Sequence, residues 1–153
     1  MLRDRFNQAM KDAMRAKEQR TLSTVRMILA KLKDKDIEAR GKGVTTGIEE
    51  AEILGMLQGM IKQRQESVAL YEQGGRQELA DQERAEIQVI ESFMPKQMSE
   101  SEALDAIKAI VAETGAASLK DMGKVMAELR ARYAGQMDFG KASGLIKQQL
   151  SGG

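Results

Sequence analysis

Cysteine, histidine and tryptophan are absent from all 153 residues, and proline occurs once. Without cysteine there is no disulfide framework, no thiol nucleophile and no thiolate-bound zinc. Without histidine the chain lacks the commonest general base, the imidazole of a serine relay and the commonest transition-metal ligand. Aromatic residues are only 3% of the chain, against 11 methionines. A core must therefore be built from Leu, Ile, Val, Ala and Met, which suits helix-on-helix packing better than a sandwich. No long charge-free apolar run occurs, and the N-terminal MLRDRFNQAM lacks the uninterrupted apolar stretch of a secretory signal. The expectation is a soluble, cytoplasmic protein with no membrane segment.

What is present is enough for a fold. Apolar residues make up 42% and charged residues 31%, a balance that supports a buried core and argues against wholesale disorder. The net charge of +1 hides an asymmetry. Residues 1–43 carry 12 basic and 6 acidic side chains, residues 44–97 carry 5 and 10, and residues 98–153 carry 7 of each. A basic first third followed by an acidic middle invites either an anionic partner or pairing between helices of the chain itself.

Apolar spacing is helical almost throughout. Leu2, Phe6, Ala9, Met10 and Ala13 mark a first helix, and Leu22, Val25, Leu29 and Leu32 a second that runs to about Arg40. GKGVTTG, residues 41–47, is a loop. Thr46 followed by Glu49 fits a capping box, which predicts a long third helix from there to Gln73. Gly74-Gly75 stops it. A fourth helix carries Leu79, Ile87, Ile90 and Met94 and should finish near Met94, because Pro95 disfavours helical geometry at the residue before it. Ser99 with Glu102 then makes a second capping box, so FMPKQMSESE is a helix stop, a short linker and a helix start. Beyond it the spacing predicts three shorter helices. The first stops at Gly115, the second opens at Ser118 and Asp121 with an apolar stripe of Leu119, Met122, Val125, Met126 and Leu129, and Asp138 caps the third. No stretch alternates with period two, so no strand is expected. The fold class is all-α: about four helices over residues 1–94, then a compact three-helix tail domain over residues 98–153.

Three groups of residues could carry chemistry. The fourth helix gathers Glu78, Asp81, Glu83, Glu86 and Glu91, oxygen ligands of the kind Mg²⁺ takes. Arg76 and Arg84 stand beside them, so a solvated, ion-paired helix face is the better account. Arg26, Lys33 and Arg40 recur at intervals of seven along one edge of the second helix. They could track phosphates, although stems lying over the core and heads meeting the acidic fourth helix is the favoured reading. The third group lies in the tail. At about 100° per residue Lys120, Lys124, Ala127 and Ala131 fall together, flanked by Gly123 and Arg130. On the last helix Gly140, Lys141, Gly144, Lys147 and Gln148 lie away from Leu145 and Ile146. Glycine costs a helix about 1 kcal/mol against alanine, so such bare faces either let a phosphate backbone approach between lysines or let one helix pack closely on another. Spacing leaves both open. There is no phosphate-cradling loop, no dinucleotide fingerprint and no marked nucleophile. No catalytic residue, metal or cofactor is assigned.

The run YEQGGRQELADQERAEIQVIESFMPKQMSESE, then DMGKVM, then GQMDFGKASGLIKQQL, resembles the GatB/YqeY family across essentially the whole chain. The matching positions are Gly75, Arg76, Leu79, Glu83 and Pro95 at the join, Asp121 to Met126 in the tail, and Gly135 and Asp138 after it. The same module forms the C-terminal part of the B subunit of tRNA-dependent amidotransferases, whose tail region is associated with the outer corner of the tRNA and whose amide transfer is done by a separate domain. The resemblance thus implies a helical domain followed by a tail domain, with tRNA as the candidate partner, and a protein of the tRNA aminoacylation or amidation machinery as another. The expected role is a non-catalytic RNA-binding module with Lys120, Gly123, Lys124, Arg130, Lys141, Gly144 and Lys147 at its surface. The alternatives are a helical protein–protein adaptor, or an enzyme by resemblance, an amidotransferase accessory or a carbon–nitrogen ligase in its own right, whose ammonia source and activating site would come from another chain.

Overall fold

The computed structural model describes residues 1–151, and these are all-helical, with no strand among them. Two compact units are present, Met1–Met94 and Pro95–Gly153. The first holds α1 (Leu2–Ala16), α2 (Gln19–Gly41), α3 (Glu50–Gln73) and α4 (Gln77–Glu91); the second holds α5 (Glu100–Thr114), a 3-10 turn at Leu119–Asp121, α6 (Met122–Tyr133) and α7 (Phe139–Ser151).

In the first unit α3 packs on α4, α1 on α2, and α2 on α4. Phe6, Val25, Ile28, Ile53, Leu57 and Ile90 form the centre of the core. Phe6 meets Phe93 edge to face, with ring centroids 4.9 Å apart and planes at 80°, a geometry that adds about 0.5–1.5 kcal/mol to burial alone. Local signals fix the ends of several helices. Lys17 adopts the left-handed conformation (φ 58°) that ends α1, and Gly75 (φ +71°) follows the end of α3 while the Arg76 N–H reaches back to the Tyr71 carbonyl at 2.8 Å.

Three expectations from spacing are corrected here. The Thr46–Glu49 capping box does not form: α3 begins at Glu50, after Glu49 in extended backbone. Gly47 has φ +88°, which a right-handed helix cannot contain, and Ile48 is buried with its N–H donated to Asp36 Oδ1 at 2.9 Å. Tertiary contacts pull this stretch out of the helix. The fourth helix ends at Glu91, ahead of Met94, in two tight turns with Phe93 N–H to Ile90 O and Met94 N–H to Glu91 O. Arg5 of α1 donates to the Ser92 and Phe93 carbonyls there (3.0 and 3.2 Å) and lies 5.5 Å above the Phe93 ring. The third correction concerns the acidic helix, which the basic edge of α2 was expected to meet. Four of its five carboxylates are met by Arg64 of α3 (2.9 Å to Glu86, 4.0 Å to Glu83), by Arg76 just before α4 (Glu78) and by Arg84 within it (Asp81).

In the second unit α5, α6 and α7 pack on one another around Ile107, Ile110, Val125, Leu129 and Ile146. Ser99 caps α5 as its spacing predicts: its Oγ accepts the Glu102 N–H and Glu102 Oε1 accepts the Ser99 N–H, both at 3.1 Å. Gly115 (φ +67°) ends the helix. Leu119, placed by spacing in the buried stripe of α6, is 47% exposed. It belongs to the 3-10 turn, whose three residues per turn put it out of phase with an α-helical stripe.

Candidate functional site

Asp121 organises the start of the tail's second helix. Its carboxylate accepts the N–H groups of Ala117 (2.9 Å) and Ser118 (3.3 Å), and these bonds hold its pKa below the ordinary carboxylate value. The turn thus fixed carries Lys120, and α6 continues directly into Gly123 and Lys124. Lys120, Gly123, Lys124, Ala127 and Ala131 are all exposed, while Val125, Met126 and Leu129 face the core.

Asp138 does the corresponding work for α7. Its Oδ1 accepts the Gly140 N–H at 2.8 Å and the Lys141 N–H at 3.3 Å. Lys141, Gly144 and Lys147 then lie on the exposed side of α7, with Ala142, Ile146 and Leu150 beneath. Arg130 is held differently, its guanidinium 5.8 Å above the Phe139 ring, which ties the end of α6 to the start of α7.

Two of the glycines bear on whether the bare faces serve packing within the chain. A Cβ built on Gly123 or Gly144 would meet nothing within 4 Å. Neither glycine is there to admit a neighbouring helix of the described chain. Lys120, Lys124, Lys141 and Lys147 form no ion pair among the described residues, whereas Arg132 is held by Glu113 (2.8 Å) and Glu128 (3.1 Å). The tail therefore presents open backbone beside cations that form no close ion pair, although Lys124 lies near enough to Asp121 to favour its charged form.

These residues are not gathered into one pocket. Lys141 and Gly144 line a groove of about 600 Å³ between α7 and the residues that open α5, with Met98, Ala103, Met137 and Leu145 among its walls. Lys120, Gly123, Lys124, Arg130 and Lys147 lie outside it.

The remaining motif residues hold the chain's shape. Gly75 supplies the left-handed turn after α3, and Arg76 precedes α4 and pairs with Glu78 at 3.3 Å. Gly135 is buried at φ +78° and its carbonyl accepts from the Gln97 amide, while Met98 N–H donates to Gln136 O at 2.8 Å. Pro95 opens the second unit. Glu83 is half-buried beside Glu86, and its pKa is raised first by burial and then by that neighbour. Met122 is half-buried against the tail core.

Spacing alone missed one constellation. Arg3, near the start of α1, grips Asp36 of α2 through two bonds (2.7 and 2.9 Å) and also donates to the Ile48 carbonyl at 3.0 Å. Asp36 is held at about 2, by the Arg3 bonds above all. A pair 33 residues apart leaves no local pattern to read. Among the described residues, no group of three or more His, Cys, Asp or Glu side chains is placed to hold a metal ion. No helix there is long and apolar enough to cross a membrane.

Described residues that are all-helical and fall into two units, with Gly75, Arg76, Pro95, Asp121, Gly135 and Asp138 of the motifs at turns and helix ends, define a small helical module. It matches the family of Yqey-like proteins over residues 3–150, and it belongs to that family. It is also similar to proteins named "Altered inheritance of mitochondria protein 41, mitochondrial" from three yeasts. The identity is 31% over 85 residues for Vanderwaltozyma polyspora, 31% over 89 for Eremothecium gossypii and 30% over 94 for Lachancea thermotolerans. These matches cover 56%, 58% and 61% of this chain, and 44%, 46% and 48% of the relatives. The matched part of the chain spans less than half the length of those relatives.

Proposed function

We propose that this protein is a non-catalytic module that binds structured RNA, tRNA foremost, or a complex that carries it, through the exposed faces of α6 and α7. The observation that carries this reading is the open space over Gly123 and Gly144 beside cations with no ion-pair partner. A phosphate backbone needs such access, since backbone contacts position a nucleic acid while lysines neutralise it. The chain has few aromatics for base stacking, which leaves shape and phosphate contact as the mode of recognition. On this reading the protein works wherever the translation apparatus does: the cytoplasm, or the mitochondrion that the relatives' names give. Any amidotransferase chemistry it joins is supplied by another chain.

The test is a titration of tRNA against full-length protein over a range of salt. Replacing Lys120 and Lys124 by alanine should weaken binding to all tRNAs alike and flatten the salt slope by about 1 to 2. Wild-type-like binding by that variant would remove the reading.

A second reading, a protein–protein adaptor, is favoured by the groove beside α7, whose walls include Met98, Met137 and Leu145. Methionine-lined surfaces adapt to partner helices. Capture of a protein partner that persists at high salt, with no RNA retained, would favour it.

A further inference from the structure

The basic edge of α2 has no acidic helix to neutralise it, and this bears on where the molecule's charge acts. Arg64, Arg76 and Arg84 meet the carboxylates of α4, while Arg26, Lys33 and Arg40 form no ion pair among the described residues. Lys33 and Arg40 also border a groove of about 300 Å³ between α1 and α2, with Arg3, Leu29, Leu32 and Ile37 among its walls. The groove's one acidic side chain, Asp36, is gripped by Arg3 and bonded to the Ile48 N–H. Its negative charge is thus neutralised within the fold. Two exposed cations, Lys33 and Arg40, stand at the rim without an ion pair, Arg40 adding only a minor share to the field that keeps Asp36 charged. Seven residues apart on one helix, they stand roughly 10 Å from each other along its axis.

We propose that the α1–α2 groove is a second contact for RNA phosphates, with Lys33 and Arg40 as its binding residues and the Arg3–Asp36 pair as its rigid floor. This rests on the reading that the ligand is a structured RNA, and it adds a basic surface on the N-terminal unit to one on a tail of zero net charge. Arg40 can present a planar fork to a phosphate and Lys33 a point charge. An anionic membrane fits less well, because Phe6, Val25 and Ile28 turn the apolar faces of α1 and α2 into the core. Neither helix has an apolar face left to sink between lipids. An acidic peptide would lack an anchor: Leu32 is buried and Leu29 half-buried, which leaves Ile37 as the main exposed apolar side chain in the groove.

The experiment uses full-length protein and tRNA, with affinity measured at several salt concentrations for wild type, Lys33→Gln with Arg40→Gln, Lys120→Ala with Lys124→Ala, and all four changes together. The groove pair should flatten the slope of log affinity against log salt by about 1 to 2, the fourfold variant should lose both increments, and Lys33→Arg with Arg40→Lys should keep most of the slope. If the groove pair changes nothing while the tail pair does, the groove is excluded and the tail reading stands. If only the groove pair matters, the tail reading fails and the groove stands. Absence of tRNA binding by wild type excludes the groove as an RNA contact. So does loss of binding to phosphatidylserine vesicles, but not to tRNA, in the groove variant, which would assign the surface to membranes.

Discussion

Arg3 and Asp36 join α1 to α2 through two parallel hydrogen bonds of 2.7 and 2.9 Å, and the same two side chains take both the N–H and the carbonyl of Ile48. One ion pair thus positions two helices and the loop that enters α3. Asp36→Asn should cost about 1 to 2 kcal/mol of stability by denaturant titration, since a charged pair and a backbone bond are weakened together. The pair also sets an acid limit. Asp36 is held at about 2 against an ordinary 3.8, so its stabilisation is present above pH 4 and lost as pH falls from there through about 2. The variant's acid-unfolding curve should lose that component.

Arg64 is the most enclosed cation of the first unit's ion pairs, its side chain 11% exposed between Glu86 at 2.9 Å and Glu83 at 4.0 Å. Arg64→Ala should cost roughly 3 kcal/mol, because it leaves two half-buried carboxylates facing each other. Glu83→Gln should be neutral or slightly stabilising at pH 7. Burial and Glu86 raise the Glu83 pKa in the fold, so the folded state holds this proton to higher pH than the unfolded chain does. Stability should therefore fall as pH rises from the ordinary glutamate value through the raised one, and Glu83→Gln should remove that decline. Thermal melts between pH 4 and 7 would measure both.

Several stops and caps with a local cause were legible in the sequence, although the left-handed Lys17 that ends α1 was not. Gly75, Gly115 and the Ser99–Glu102 box act on backbone within a few residues of themselves, and the structure places each where its spacing does. The misplaced ends have distant causes. Ile48 is drawn into the core by Arg3 and Asp36, and the turn after α4 is held by Arg5, which lies 87 and 88 residues away in sequence. The candidate surface was legible only as a choice. Helical phase sets Gly123 beside Lys120 and Lys124, but Lys120 belongs to the 3-10 turn before α6 and so leaves that α-helical phase, and whether another helix covers Gly123 depends on the tertiary arrangement; here none of the described chain does.

The join between the units gives a proteolytic prediction. Lys96 is exposed between Pro95 and Gln97, and Gln97 and Met98 are already bonded to the loop at Gly135 and Gln136. Brief trypsin treatment should cut after Lys96 and leave two helical fragments, each keeping its own core. Mass spectrometry of the digest would show it. A chain resistant at Lys96 but cleaved inside α3 or α6 would contradict two separately compact units.

Glycine substitutions should move stability in opposite directions at two kinds of site. Gly75→Ala places a Cβ at φ +71°, costing about 1 kcal/mol even though the space is open. Gly75→Asn should cost less, since asparagine tolerates this conformation better. Gly144→Ala sits in the middle of α7 with nothing within 4 Å of the new methyl group, so it should add roughly 0.5 to 1 kcal/mol. Urea midpoints at constant slope would test both signs.

Gly123 separates stability from binding most sharply. It lies in the first turn of α6, exposed, with open space where a side chain would go. For the fold alone, Gly123→Ala should be neutral or stabilising by a few tenths of a kcal/mol, and Gly123→Glu should be tolerated, because a carboxylate is favourable near a helix N-terminus. For an RNA backbone lying between Lys120 and Lys124, the order reverses. Alanine adds bulk at the closest approach, and glutamate adds both bulk and negative charge, so tRNA affinity should fall modestly for the first and more than tenfold for the second at low salt. Melting temperature and tRNA affinity measured on the same preparations would separate the two effects. Unchanged affinity in Gly123→Glu, with the helix intact by circular dichroism, would mean that RNA does not approach this face.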